Sequence, residues 1–100
     1  MSNLIKIQTN DNLEQVVSAR ELHEKLGIEK HFSQWWAYQA ERLGLIEGKD
    51  FLTTLLESQG GRPGTDYLIP LDIAKHICMV SGGERAHIIR QYFIEVEKAW

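Results

Sequence analysis

The chain is short of cysteine: there is one, Cys78, in 100 residues. A single thiol excludes an internal disulfide and fits a reducing compartment, the cytoplasm. Cation excess is also missing. Eleven Lys and Arg stand against fourteen Asp and Glu, for a net charge of −3 and an isoelectric point of about 5.8. Sequence-independent nucleic-acid binding is driven by cations that displace counterions, and no stretch here concentrates them. No apolar run of about 18 residues, enough to span a bilayer, occurs, and the N-terminus lacks the pattern of a signal peptide. Repeats, linkers and low-complexity tracts are absent too.

Catalytic patterns are just as scarce. His23, His31, His76 and His87 have no second histidine at metal-ligand spacing and no paired cysteine, so neither metal nor cofactor is expected. Asp72 and His76 are four apart on a helical stretch, which suits a surface ion pair better than an acid–base couple. Ser18 and Ser33 lack a nucleophile-elbow context. "GGRPG" has no Lys-Ser or Lys-Thr ending, so it is no phosphate loop. Cys78 sits in an apolar helix as inert core. The chain is expected not to be an enzyme.

What is present is a compact pattern of elements, with 43% hydrophobic residues, enough for one modest core. "LIKIQ" (residues 4–8) alternates as a half-buried strand does, and "EQVV" (14–17) returns as a second. Ser18 and Glu21 then form a capping-box signature, with Val17 and Leu22 as its hydrophobic staple. Ala19, Leu22 and Leu26 share one face, Arg20, Glu21, Glu24 and Lys25 point away, and Gly27 suits the residue after a helix. A second helix follows in "EKHFSQWWAYQAERLG", with Phe32, Trp35, Trp36, Ala40 and Leu43 at helical spacing and Gly44 as its stop. Two adjacent indoles cannot share one helix face fully, so either Trp35 or Trp36 is expected at an edge.

"DFLTTLLE" and "YLIP" read as a β-hairpin whose long tip, "SQGGRPGTD", is rich in glycine. Pro70 opens a third helix, Leu71 to Val80. There Leu71, Ile73, Ala74, Ile77, Cys78 and Val80 are expected inside, and Asp72, Lys75, His76 and Met79 outside. A last helix from about Glu84 carries Ile88, Ile89, Tyr92, Phe93, Val96 and Trp100 on its apolar side. The expected fold is α+β: about four helices, an N-terminal strand pair and a winglike β-hairpin around a helix-turn-helix-like core. The standard helix-turn-helix is excluded, because His23 stands where a small residue is needed, Ser33 where an aliphatic is, and the turn is long.

Two surfaces are candidates for binding. The outward side of the second helix shows Gln34, Ala37, Tyr38, Glu41 and Arg42, and the hairpin tip offers Gln59 and Arg62. Gln and Arg can address base edges and Tyr a phosphate; the same types also serve in protein interfaces. The stripe Ile89, Phe93, Val96 and Trp100 is expected to mediate self-association into a homo-oligomer, since the helix has no stop signal at Trp100. By the same token, residues 1–100 are expected to be one domain of a longer protein.

Several segments together resemble the AntA/AntB-type phage antirepressors. They are "VSARELHEKLGI" (17–28), "HFSQWW" (31–36), "LIEGKDF" (45–51), "GRPGTDYLIPLDIAKHICMV" (61–80) and "RQYFIEVEK" (90–98). The matching positions are Ala19, Arg20, His23, Phe32, Trp35, Asp50, Phe51, Asp66, Tyr67, Leu71, Asp72, Ala74, Lys75, Arg90, Tyr92, Phe93 and Glu97. The chain departs at Pro70, where a capping Thr is usual, at "HIC" after Lys75, and at "SGGERAHII". The resemblance implies an N-terminal domain encoded by a temperate phage or prophage. Its partner would be the phage repressor protein, bound in the bacterial cytoplasm so that lysogenic repression is relieved. The alternative is a sequence-specific DNA-binding module using the second helix and the hairpin tip. The resemblance brings no catalytic or metal residues.

Overall fold

The computed structural model describes residues 5–10, 14–56 and 64–99. Two short strands, β1 (Gln8–Thr9) and β2 (Gln15–Ser18), lead into helices α1 (Ala19–Leu26) and α2 (Phe32–Leu43). The hairpin strands β3 (Leu52–Leu56) and β4 (Gly64–Pro70) follow, then α3 (Leu71–Ser81) and α4 (Gly83–Ala99). The strands form one antiparallel sheet in the order β1-β2-β4-β3. The fold is therefore α+β, with the expected strand pair and hairpin. The central position of β4 puts the strand before α1 and the hairpin after α2 into one sheet.

The first strand is shorter and later than "LIKIQ" suggests. Ile5 is buried, yet its backbone is bound by side chains and not by a strand: Tyr92 donates its hydroxyl to the Ile5 carbonyl at 3.2 Å. The next amide, that of Lys6, donates to Glu21 Oε1 at 3.0 Å. Alternation marks which side chain goes inward, but not which group takes the backbone.

That second bond also changes the cap of α1. Ser18 Oγ accepts from the Glu21 amide at 3.1 Å, as a capping Ser should. The Glu21 carboxylate serves Lys6, while Ser18 itself pairs with Leu68 across the sheet. Val17 and Leu22 are both fully buried. At the other end Gly27 takes φ 70°, and the Gly27 and Ile28 amides close the turn onto Glu24 and His23.

Both indoles are inside, correcting the expectation of one at an edge: Trp35 is 3% exposed and Trp36 5%. The helix is covered from two sides. Trp36 stacks on Tyr67 of β4 with centroids 4.6 Å apart and meets Phe51 edge-on at 5.1 Å. Trp35 lies 5.1 Å from the His23 ring of α1. Adjacent residues on a helix point about 100° apart, so two flanking layers can bury both.

The remaining core joins β2, β4, α1, α3 and α4 through Val17, Leu22, Ile69, Leu71, Ala74, Ile77, Cys78, Ala86, Ile89 and Phe93. In α3 the buried stripe is Leu71, Ala74, Ile77 and Cys78, a three–four spacing that leaves Val80 off the face and exposed, contrary to expectation. Ile88, likewise expected inside, is exposed, because α4 turns Ala86, Ile89 and Phe93 inward. Pro70 stands at the N-cap of α3 without any side-chain cap, and Asp72 supplies the negative charge of its first turn. Gly82 and Gly83, at φ 70° and 88°, make the reversal between α3 and α4.

Candidate interaction surface on the second helix

His23 decides how α1 and α2 meet. Its Nε2 lies 2.7 Å from the Lys30 carbonyl, which can only accept, so this nitrogen carries the proton. The ring also packs edge-on against Phe32, with centroids 5.7 Å apart. The large residue that excluded a standard helix-turn-helix thus fills the angle between the helices and ties down the connecting loop. Ser33, the other misfit, is exposed. The core is helix-turn-helix-like with a widened turn.

This loop delivers Lys30 to the outer face of α2. Lys30 Nζ lies 5.8 Å from the centroid of the Tyr38 ring, and Arg42 Cζ lies 5.4 Å from the same centroid. Tyr38 is 57% exposed, so an aromatic plate flanked by two cations faces outward. Arg42 also donates from Nη2 to Oε1 of Gln39, a buried residue one turn back. Gln34, Ala37, Glu41 and Arg42 are exposed around it, so the expected outward residues do lie together. Gln59 and Arg62 of the hairpin tip lie outside the described residues.

The face is held by elements behind it. Asp66, in β4, is 6% exposed and accepts from the Ser18 hydroxyl, from the Arg20 amide at 3.0 Å and from its own neighbour's amide, Tyr67, at 2.7 Å. It thereby caps α1 alongside Ser18. Arg20 Nε donates to the Thr65 carbonyl at 2.5 Å, and its guanidinium lies 4.4 Å from the centroid of the Phe32 ring. No local signal in the sequence gives Asp66 a structural task or singles out Lys30 and Gln39. Its neighbours in sequence, Thr65 before Asp66 and Tyr67 after it, give no sign of a buried carboxylate.

Two residues of the C-terminal stripe belong to the domain's own core: Ile89 is 3% exposed and Phe93 0%. Val96 packs partly buried against that core, and Trp100 lies outside the described residues. Ile89 and Phe93 therefore present no surface to a second copy.

Asp72 pairs with Lys75 at 3.4 Å, and Lys75 binds Glu97 at 2.5 Å. His76 is exposed beside them. Among the described residues no group of three His, Cys, Asp or Glu could hold a metal ion, and no helix is long and apolar enough to cross a membrane.

The family model for AntA/AntB antirepressors matches residues 17–82. The chain belongs to this antirepressor family. The match begins one residue before the α1 cap and ends in the turn after α3, so it contains α1, α2, the hairpin and α3. No curated protein and no solved structure matches the chain. Antirepressors form a regulatory, non-enzymatic family connected with phage, and a general antirepressor role follows for this domain.

Proposed function

We propose that this antirepressor domain binds a phage repressor protein in the bacterial cytoplasm, stops it holding its operators and so relieves lysogenic repression. The observation that carries this reading is the outward face of α2, where exposed Tyr38 stands between Lys30 and Arg42. Tyrosine and arginine are the residue types that dominate protein interfaces when gathered on a rigid element. The net charge of −3 works against a polyanionic partner. The test is calorimetric titration with the purified repressor of the same prophage, alongside a gel shift of that repressor on its operator. Binding with release of operator DNA supports the reading; no binding at micromolar concentrations overturns it.

A second reading, direct and sequence-specific DNA contact by α2 and the hairpin tip, draws on one observation. The exposed helix is the second of the pair and is followed at once by the winglike hairpin. It requires the domain alone to shift operator DNA selectively, with a steep dependence on salt.

A further inference from the structure

We infer that the repressor surface engaged by this domain is acidic, and that one of its carboxylates docks on the guanidinium of Arg42 beside Tyr38; this rests on the repressor-binding reading. Arg42 is prepared for such a partner. Gln39, buried in α2, takes one of its N–H groups, and the Tyr38 ring lies alongside, which fixes the guanidinium before anything binds. A guanidinium has five donors in a planar fork that matches a carboxylate with two parallel bonds. Holding a long side chain in place beforehand reduces the entropy lost on association.

The cations are also unneutralised. Among the described residues Lys75 is the cation that forms ion pairs; Lys30 and Arg42 form none, although Glu29 and Glu41 stand next to them in sequence. Two exposed positive groups around one aromatic plate, on a domain of net negative charge, make a local complement to carboxylates. Lys30 is placed there by the bond from His23 to its carbonyl, so α1 positions the second cation.

Phosphate is the competing anion, and two features disfavour it. Binding to duplex DNA is driven by neutralising many phosphates, and the cations gathered at the Tyr38 ring are two, Lys30 and Arg42. Glu41 is exposed on the same side of α2 and would oppose a line of phosphates, whereas a folded partner can set a donor against it.

The experiment uses the full chain and the purified repressor of the same prophage. Arg42→Ala should weaken binding about ten-fold or more, and Arg42→Lys, which keeps the charge but loses the fork, several-fold. Lys30→Ala should act mainly through a slower association and a flatter salt dependence. Thermal melts check that each variant folds. A carbodiimide, which joins an amine to a carboxylate in contact, should link Lys30 to an Asp or Glu of the repressor, and the link should vanish in Lys30→Arg. Unchanged affinity in Arg42→Ala, or no such link, overturns the acidic-surface inference while leaving repressor binding intact. Failure of the unaltered domain to bind the repressor overturns both. Loss of binding to a 30-base-pair duplex in the same variants, with repressor binding preserved, reassigns the face to phosphate and also overturns it.

Discussion

Asp66 on β4 accepts the hydroxyl hydrogen of Ser18, the N-cap of α1, across 48 residues of sequence. The start of the helix is therefore fastened to the middle of the sheet. Asp66 also takes the Arg20 amide, so two donors at one helix terminus depend on a single buried carboxylate. Asp66→Ala should cost about 2–4 kcal/mol, because it strands buried donors and removes charge-assisted bonds. Ser18→Ala should cost about 1–2 kcal/mol, the usual value of a cap plus its link to Asp66. Since both act on one network, the double variant should lose less than the two singles together. Urea denaturation measures all three; full additivity would show that the Ser18–Asp66 bond carries no coupling.

The same network marks what the sequence could and could not show. Local signals were legible: the capping Ser18, the stops at Gly27 and Gly44, and the apolar spacing that outlines α2 and α3. Glu21 shows where local reading ends. Its capping-box position is right, but its carboxylate is claimed by Lys6, a choice that exists only after the chain has folded. Trp35 and Trp36 repeat the lesson, since a single helix wheel does not reveal that α1 and the hairpin cover both sides. On the surface, the outward residues of α2 follow from periodicity. The role of Lys30 does not, because it reaches Tyr38 from outside the helix.

Cys78 should resist thiol reagents in the folded protein. It is buried in α3, and that burial pushes its thiol up to about 11, against a smaller opposing pull from the Arg90 charge. The thiolate, the reactive form, is then scarce at neutral pH. Iodoacetamide should leave Cys78 unmodified under native conditions and label it fully in urea. The raised value also sets a pH dependence. Between the ordinary thiol value of 9.0 and about 11, the folded state keeps a proton that the unfolded state has lost. Stability is thus complete below the unfolded value and falls as pH rises through this window, by up to about 3 kcal/mol. Lys75 acts in the same sense: its hydrogen bond to Glu97 raises its value, so that contribution is likewise lost on the alkaline side. Cys78→Ala should remove the larger part of the alkaline loss, and an undiminished loss in that variant would assign it elsewhere.

Phe93 tests the use of the α4 stripe. Fully buried among the core residues, it should behave as a core aromatic: Phe93→Ala should cost about 3–5 kcal/mol. For a domain of this size that is much of the total stability. The expected result is a large drop in melting temperature at every protein concentration. A variant that melts normally and alters only the molecular mass in solution would return Phe93 to an interface between copies.

Tyr67 links the hairpin to α2, whose outer side is the face proposed for binding. Its ring stacks on Trp36 at 4.6 Å with an interplanar angle of 14°, meets Phe51 edge-on at 5.5 Å and lies 6.0 Å from Phe32. Through these contacts β4 holds the inner side of α2, whose outer side carries Tyr38 and Arg42. Removing the ring should cost about 2–4 kcal/mol, combining lost apolar burial with aromatic contacts of about 1 kcal/mol each. Trp36 would gain contact with water, so the tryptophan emission of Tyr67→Ala should shift to the red while the protein is still folded. Tyr67→Phe keeps the stack and should leave both emission and stability near those of the unaltered protein. If α2 owes its placement to this stack, Tyr67→Ala should also weaken repressor binding without touching any outward residue, and Tyr67→Phe should not. Equal binding by Tyr67→Ala, measured well below its melting temperature, would mean that His23 and the α1 contacts are enough to position the helix.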